Sequence, residues 1–324
     1  MRTGEGSDDA RSAAEDAASV IDQRLPARWR PWQRRKNTAI YLLLRAVAYL
    51  WQRLPRCCAG PLGTLLGLLA DPLAWGPRRC ADAQLARAWP NWSAGQRRTV
   101  RRQMFVHLAR SCLELGRLDA WLVAPGAVEL NPAARATLAA ALAPGRGAIA
   151  VGGHLGNWEL MAQALAHSGL PLSCIASPLY DPRLTHWLDQ LRRRHGMRLI
   201  WRAQRSAVRG LLTALRQGRL LALLIDQDTR VAGTWVPFFG QPAFTPTAAA
   251  TLALRRQVPL VVIWSRRQRG RHIIYAEAVT TDGPTGPLEV AALTAHLTSR
   301  LEAAIRQAPE QWVWMHQRWR TQRP

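Results

Sequence analysis

The sequence predicts an α/β protein with a mainly parallel sheet and flanking helices, preceded by an N-terminal helical, membrane-associating segment. Three observations carry that prediction. Beyond residue 145, short apolar runs alternate with helix-length stretches, as parallel strands joined by helices require. Caps and breakers fall at the joins: Asn131-Pro132, Gly169 with Pro171, and Asp181-Pro182. Ahead of that region the apolar residues gather into two stretches bordered by arginine. The chain accordingly divides into a basic, disordered tail at 1–36, apolar membrane-associated helices at 37–75 and an α/β domain at 76–324.

The tail opens with Gly, Ser and Asp and turns basic at Arg24, Arg28, Arg30, Arg34, Arg35 and Lys36. Trp29 and Trp32 interrupt the basic run, a pattern resembling a cytoplasmic juxtamembrane anchor. Residues 1–20 are polar, so no secretory signal peptide is expected. The apolar stretches 39–54 and 60–75 are broken by Arg45 and by Asp71-Pro72. Both fall short of the roughly 20 uninterrupted apolar residues of a spanning helix. Each is read as lying in the interface, or the first as inserting with Arg45 reaching toward headgroups.

Residues 77–120 read as two helices. The second starts at the capping box Ser93 to Gln96 and carries Val100, Met104, Leu108 and Cys112 on its apolar face. Arg97, Arg98, Arg101 and Arg102 are assigned to the opposite, solvated or headgroup-facing side, and His107 to the helix surface. Asn131-Pro132 caps a short alanine-rich helix. Strands follow at 148–151, 172–176, 198–201 and 220–225, then at 260–264 and 273–278 as a closing hairpin. Helices fill the intervals from Asn157, Asp181 and Ala207, with Thr245-Pro246 opening the last of them.

Composition narrows the partners. The net charge of +23 is almost wholly arginine, Lys36 being the only lysine, and favours an anionic partner. The charge is spread through every helix rather than gathered in one stripe, which favours a membrane surface and argues for no nucleic acid. Fifteen tryptophans against four phenylalanines and four tyrosines suit a membrane interface or a tryptophan-rich core. The five cysteines have no metal spacing and suggest reduced thiols in a cytoplasmic setting.

Chemistry concentrates in Gly152-Gly153-His154-Leu155-Gly156-Asn157-Trp158-Glu159-Leu160. This strand-to-helix turn holds a histidine among three glycines, with a carboxylate five residues on. On a regular helix that spacing turns about 500°, so His154 and Glu159 meet only if His154 lies before the helix. A carboxylate on one ring nitrogen fixes the tautomer and leaves the other as a base. Asp226-Gln227-Asp228 also follows a strand, so one sheet edge brings it toward His154. Its aspartates orient the base, contact an acceptor, or form the metal clamp of an Asp-x-Asp glycosyltransferase. The run Val236-Pro237-Phe238-Phe239-Gly240 lines a binding tunnel or buries itself in the core. Arg192, Arg193 and Arg194 sit at a helix C-terminus, favoured by its dipole and suited to binding phosphate. The C-terminal run from Pro309 to Arg320 is read chiefly as packing over the sheet, with His316 the one candidate for a second functional histidine. No Walker loop or Gly-x-Ser-x-Gly elbow is present, and Val151 occupies the first glycine's place of a dinucleotide fingerprint.

Four motifs in order, Gly-Gly-His154-Leu-Gly-Asn-Trp-Glu159, Asp226-Gln-Asp228, Trp-Val-Pro-Phe-Phe-Gly240 and Pro309-Glu-Gln-Trp-Val-Trp-Met-His-Gln-Arg318, resemble the late acyltransferases of lipid A biosynthesis over residues 40–320. The resemblance implies a glycerol-phosphate-acyltransferase-like fold on the cytoplasmic face of the inner membrane. It implies transfer of an acyl chain from acyl carrier protein to a hydroxyl of an anionic glycolipid, a lipid A precursor or a relative such as a phosphatidylinositol mannoside. His154 is then the general base, with Glu159 orienting and charging it. Asp226 or Asp228 supports the site, and Asn157 and an arginine among Arg192, Arg193 and Arg194 bind substrate. No cofactor and no metal are expected, the acyl carrier protein thioester being the donor.

Overall fold

The computed structural model describes residues 29–202, 206–283 and 286–322; most of the basic tail lies outside them. The chain enters through a helical layer: α1 (Pro31–Trp51), α2 (Ala59–Leu73), α3 (Trp75–Ala88) and α4 (Ala94–Leu115). Helix α1 starts at Pro31, inside the stretch read as tail, because proline suits a first helical position. The capping box at α4 forms both of its bonds, between Ser93 and Gln96.

Helices α2 and α4 pack backbone to backbone. A Cβ on Gly67 would stand 2.3 Å from the Cα of Val106, so only glycine permits that approach. The other side of α2 leaves Leu65, Leu66, Leu68, Leu69 and Leu73 exposed, and α1 exposes Leu42, Leu43, Val47 and Leu50. Among the described residues no single helix is long and apolar enough to cross a membrane. One pair, Arg56–Leu73 with Trp75–Ala88, meets the length and composition together but bends by 88°.

Two assignments on α4 are corrected. Arg101 is buried, not solvated, because Asp71 at 2.7 Å and Asp82 at 2.6 Å give its guanidinium two ion pairs that tie α2, α3 and α4 together. His107 is buried too, and the reason emerges at the site.

Beyond α5 (Leu118–Leu122) the main sheet begins. Its strands are β1 (Val128–Leu130), β2 (Ala148–Gly152), β3 (Leu172–Ala176), β4 (Arg198–Trp201) and β5 (Leu220–Leu224). A separate hairpin, β6 (Gly233–Phe238) with β7 (Gln241–Pro246), comes before β8 (Leu260–Gln268) and β9 (Arg271–Val279). The helices between and after are α6 (Pro132–Leu142), α7 (Trp158–His167), α8 (Pro182–Arg193), α9 (Ala207–Arg216), α10 (Ala248–Arg256) and α11 (Val290–Gln307). The seven strands lie in the order β1-β9-β8-β2-β5-β3-β4. From β8 to β4 all neighbours are parallel; β9 runs antiparallel to β8, and β1 parallel to β9.

Alternation along β2 shows how the core is divided. Ala148 and Ala150 face one cluster with Met161 and Leu165 of α7, whereas Ile149 and Val151 face another with Leu215 of α9 and Leu297 of α11. Both faces of the sheet are thus covered, as a parallel sheet demands.

Thr245-Pro246 does not open a helix. Those residues finish β7, where Thr245 pairs with Thr234, and α10 starts only at Ala248. The Phe238-Phe239 run is the tip of the β6–β7 hairpin and buries itself in the core. Phe239 and Gly240 both have positive φ, 51° and 72°, the geometry of a two-residue hairpin turn. Glu302 Oε2 accepts the Phe239 N–H at 2.6 Å, and Trp89 and Trp314 pack against the ring, fixing this costly conformation.

Candidate active site

Register brings the site together. Strands β2 and β5 are parallel neighbours with Gly152 opposite Leu224, so continuing each by two residues sets His154 beside Asp226. The two side chains meet there. Asp226 Oδ1 lies 2.8 Å from His154 Nδ1, and Asp226 Oδ2 accepts the His154 backbone N–H at 2.6 Å and the Trp312 Nε1–H at 2.8 Å.

The turn is held from below. Gly156 has φ +63°, and a Cβ there would stand 2.1 Å from the Ser265 carbonyl oxygen of β8. Its N–H donates to the Gln311 carbonyl at 3.0 Å, and Leu155 bridges Trp312, so the C-terminal segment is laced to the histidine turn. His107 backs this turn through a hydrogen bond to the Gly156 backbone. Burial, then the Arg267 charge, push its pKa down to about 3.

The electrostatics of the pair are mutual. Burial disfavours the imidazolium of His154, but the Asp226 carboxylate outweighs it and the pKa rises above its ordinary value. Burial likewise opposes the Asp226 charge, yet His154 and the Trp312 N–H hold that carboxyl at about 2. Asp226 is therefore a fixed anion that favours the Nδ1–H tautomer and leaves Nε2 with a lone pair, chemically able to accept a proton. Gln227 Nε2 lies 3.1 Å from that Nε2 and 2.9 Å from His316 Nε2.

The geometry reassigns several sequence expectations. Glu159 is not the partner of His154: its oxygens take Arg192 Nε and Nη2, both at 2.7 Å. Glu159 sits in the first turn of α7, buried toward α8, and the ion pair locks those two helices together. Arg192, Arg193 and Arg194, expected to supply a phosphate-binding group, share one feature. Each guanidinium already faces a carboxylate: Glu159, Asp189 and Asp119 respectively. Asn157, expected to bind substrate, is buried as the cap of α7; its Oδ1 accepts from Leu160 N–H and its Nδ2 donates to Glu114. Asp228 turns away from Asp226 and binds Thr321 through N–H at 2.6 Å and Oγ1 at 2.9 Å. The two aspartates thus serve separate partners and form no shared clamp.

The residues that sequence reasoning underweighted belong to the C-terminal run. Packing is part of their role, since Trp312, Trp314 and Trp319 are buried. Trp312 nonetheless completes the Asp226 site, and His316 stands 5.4 Å ring to ring from His154. The signal was the unusual density of polar tips among those tryptophans.

Such a dyad at the carboxyl ends of parallel strands serves many hydroxyl-activating reactions. A sequence comparison decides among them. Residues 31–321 match the model of the bacterial lipid A biosynthesis acyltransferases. The chain belongs to this family. It is an acyltransferase.

The chain is 24% identical over 278 residues to the lipid A biosynthesis palmitoleoyltransferase of Escherichia coli K12, covering 85% of this chain and 89% of the relative. A lipid A biosynthesis acyltransferase of Shigella flexneri matches to the same extent. The phosphatidylinositol mannoside acyltransferase of Mycolicibacterium smegmatis is 26% identical over 183 residues, 55% of this chain and 59% of that protein. Membership in this family also removes the glycosyltransferase reading of Asp226-Gln227-Asp228.

Proposed function

We propose that the protein moves a fatty acyl chain from the thioester of acyl carrier protein to a hydroxyl of an anionic glycolipid, a lipid A precursor. The observation that carries this reading is the Asp226–His154 pair, with Nε2 of the imidazole facing outward, in a chain of this family. The acceptor hydroxyl replaces the Gln227 amide on His154 Nε2 and gives up its proton as its oxygen attacks the thioester carbonyl. Asp226 stabilises the imidazolium that forms. When the tetrahedral intermediate collapses the carbon–sulfur bond breaks, and the imidazolium returns the proton to the leaving thiolate. The step needs no cofactor and no metal. Glu159 contributes through Arg192, by fixing α7 behind the histidine turn.

We place the enzyme at the cytoplasmic face of the inner membrane. The exposed leucines of α1 and α2, with Trp75 and Trp32 beside arginines, support docking of this layer into the membrane interface. The phosphatidylinositol mannoside relatives make that class of glycolipid the second acceptor reading, served by the same base.

The test is lipid mass spectrometry of cells with and without the protein, combined with transfer assays on His154→Ala. The wild type should add the mass of one acyl chain to one glycolipid, and the variant should not. Turnover retained in the folded variant would count decisively against His154 as the base.

A further inference from the structure

The arginines expected to bind phosphate are all engaged, but others are not. A cavity of about 500 Å³ opens beside the base, with Gln227 and His316 on its wall. Gln227 is the side chain linked to His154 Nε2, and His316 is linked in turn to Gln227, so the cavity lies one side chain from the reacting hydroxyl. Its rim carries Arg202, Arg230 and Arg320.

Arg202 and Arg230 are exposed, and their guanidinium groups have no ion pair or hydrogen-bond partner among the described residues; Arg202 is held only through its backbone N–H, which donates to the Ala176 carbonyl at 2.9 Å. Arg320 is held by the Asp228 carbonyl at 3.0 Å, with Asp228 Oδ1 at 3.4 Å. Among the described residues Asp228 is the only carboxylate on the wall; it is buried and its oxygens are taken up by Thr321 and Arg320. Three cations thus face one carboxylate that is already occupied. Two free guanidinium forks over a polar cavity match the oxygen geometry of a phosphate ester.

We infer that this cavity is a phosphate subsite, in which Arg202 and Arg230 grip a substrate's phosphate ester and Asp228 presents Arg320 to it. The inference rests on the acyl-transfer reading, since it supposes a substrate reacting at His154. The same chemistry has two sources, a phosphate on the acceptor glycolipid or the phosphodiester of the pantetheine arm on the carrier protein. Either would be held with its reactive group turned toward Nε2, making these arginines determinants of KM rather than of kcat.

The experiment uses the full chain in detergent, with inorganic pyrophosphate as the probe. Pyrophosphate should inhibit transfer, competitively against whichever substrate carries the bound phosphate: the glycolipid in one case, acyl carrier protein in the other. Arg202→Ala and Arg230→Ala should each raise that substrate's KM and weaken pyrophosphate inhibition about tenfold, as expected for losing one charged hydrogen-bonding group. Arg146→Ala, at the opposite end of the strands, controls for general loss of surface charge and should leave both unchanged. Calorimetric binding of pyrophosphate to His154→Ala should match wild type and fall in the Arg202→Ala, Arg230→Ala double variant. That arm reads the subsite even if no acyl transfer is found, and so separates failure of the subsite from failure of the acyl-transfer reading. Unaltered KM values with unaltered pyrophosphate binding in the double variant would overturn the inference.

Discussion

Replacing Asp226 by Asn tests the site most sharply, because the structure dictates how the amide must sit. Asp226 Oδ2 accepts two N–H donors, from the His154 backbone at 2.6 Å and Trp312 Nε1 at 2.8 Å, whereas Oδ1 faces one ring nitrogen. An asparagine has a single acceptor oxygen. Placed against the ring, that oxygen would leave its NH2 group pressed on two other donors in a buried site. The lower-energy arrangement gives the oxygen to the two N–H groups and turns the NH2 toward His154 Nδ1. The imidazole must then offer a lone pair at Nδ1 and carry its proton on Nε2, so the base is lost while the fold stays.

A wrong tautomer of this kind in a histidine–carboxylate pair lowers kcat by about 10⁴. We expect a loss of about 10³ to 10⁴ here, equivalent to about 4 to 5.5 kcal/mol of transition-state stabilisation. The assay is transfer of a labelled acyl chain from acyl carrier protein to the glycolipid, with thermal unfolding of each variant as the control for folding. Glu159→Gln is the informative comparison, because its carboxylate lies on Arg192 and never touches the imidazole. It should lower stability more than kcat. The reasoning is refuted if Asp226→Asn keeps more than a tenth of wild-type kcat, or if a stably folded Glu159→Gln loses as much as Asp226→Asn does.

Two further outcomes follow from the same geometry. Gly156→Ala should unfold at a clearly lower temperature and lose activity with it. The left-handed φ of +63° and the 2.1 Å approach to the Ser265 oxygen together cost about 2 to 5 kcal/mol. Acidification should also destabilise the fold. His107 and His272 are buried with pKa values lowered to about 3, each mainly by burial and then by Arg267. Between their ordinary value of 6.5 and about 3, the unfolded chain binds protons that the folded chain refuses, so stability falls as pH falls. The slope is about 1.4 kcal/mol per pH unit for each histidine. Denaturant midpoints at pH 7 and pH 5 check this; His107→Gln should flatten the trend, and a flat wild-type profile would contradict it.

Six of the seven strands of the main sheet and the histidine turn are legible in the sequence because they depend on local signals; the three-residue edge strand β1 is not, because it is defined by pairing with β9. Apolar runs such as 148–152 and 220–224 are bounded by breakers, and the glycines around His154 mark a turn where side chains are excluded. The C-terminal helix α11 was missed, and so was the β6–β7 hairpin, whose turn places a phenylalanine rather than asparagine or glycine at positive φ. Only Glu302 and the surrounding tryptophans, distant in sequence, make that choice tolerable. The misplaced arginines have the same origin. Arg192 is 33 residues from Glu159, and nothing in its own segment says that a buried carboxylate waits for it.

The carboxylate of the pair shows which spacing carries information. A histidine followed five residues later by an acid suggests a local partner, yet α7 carries Glu159 away to α8 as soon as the helix begins. The true constraint is register. With Gly152 level with Leu224 across two parallel strands, any residue two places beyond one strand end lies beside its counterpart beyond the other. His154 and Asp226 are those residues, 72 apart in the chain with β3 and β4 between them. Knowing that β5 rather than β3 is the neighbour of β2 on that side is enough to pair them. The strand order therefore selects Asp226 over Glu159, and with it which carboxylate fixes the His154 tautomer.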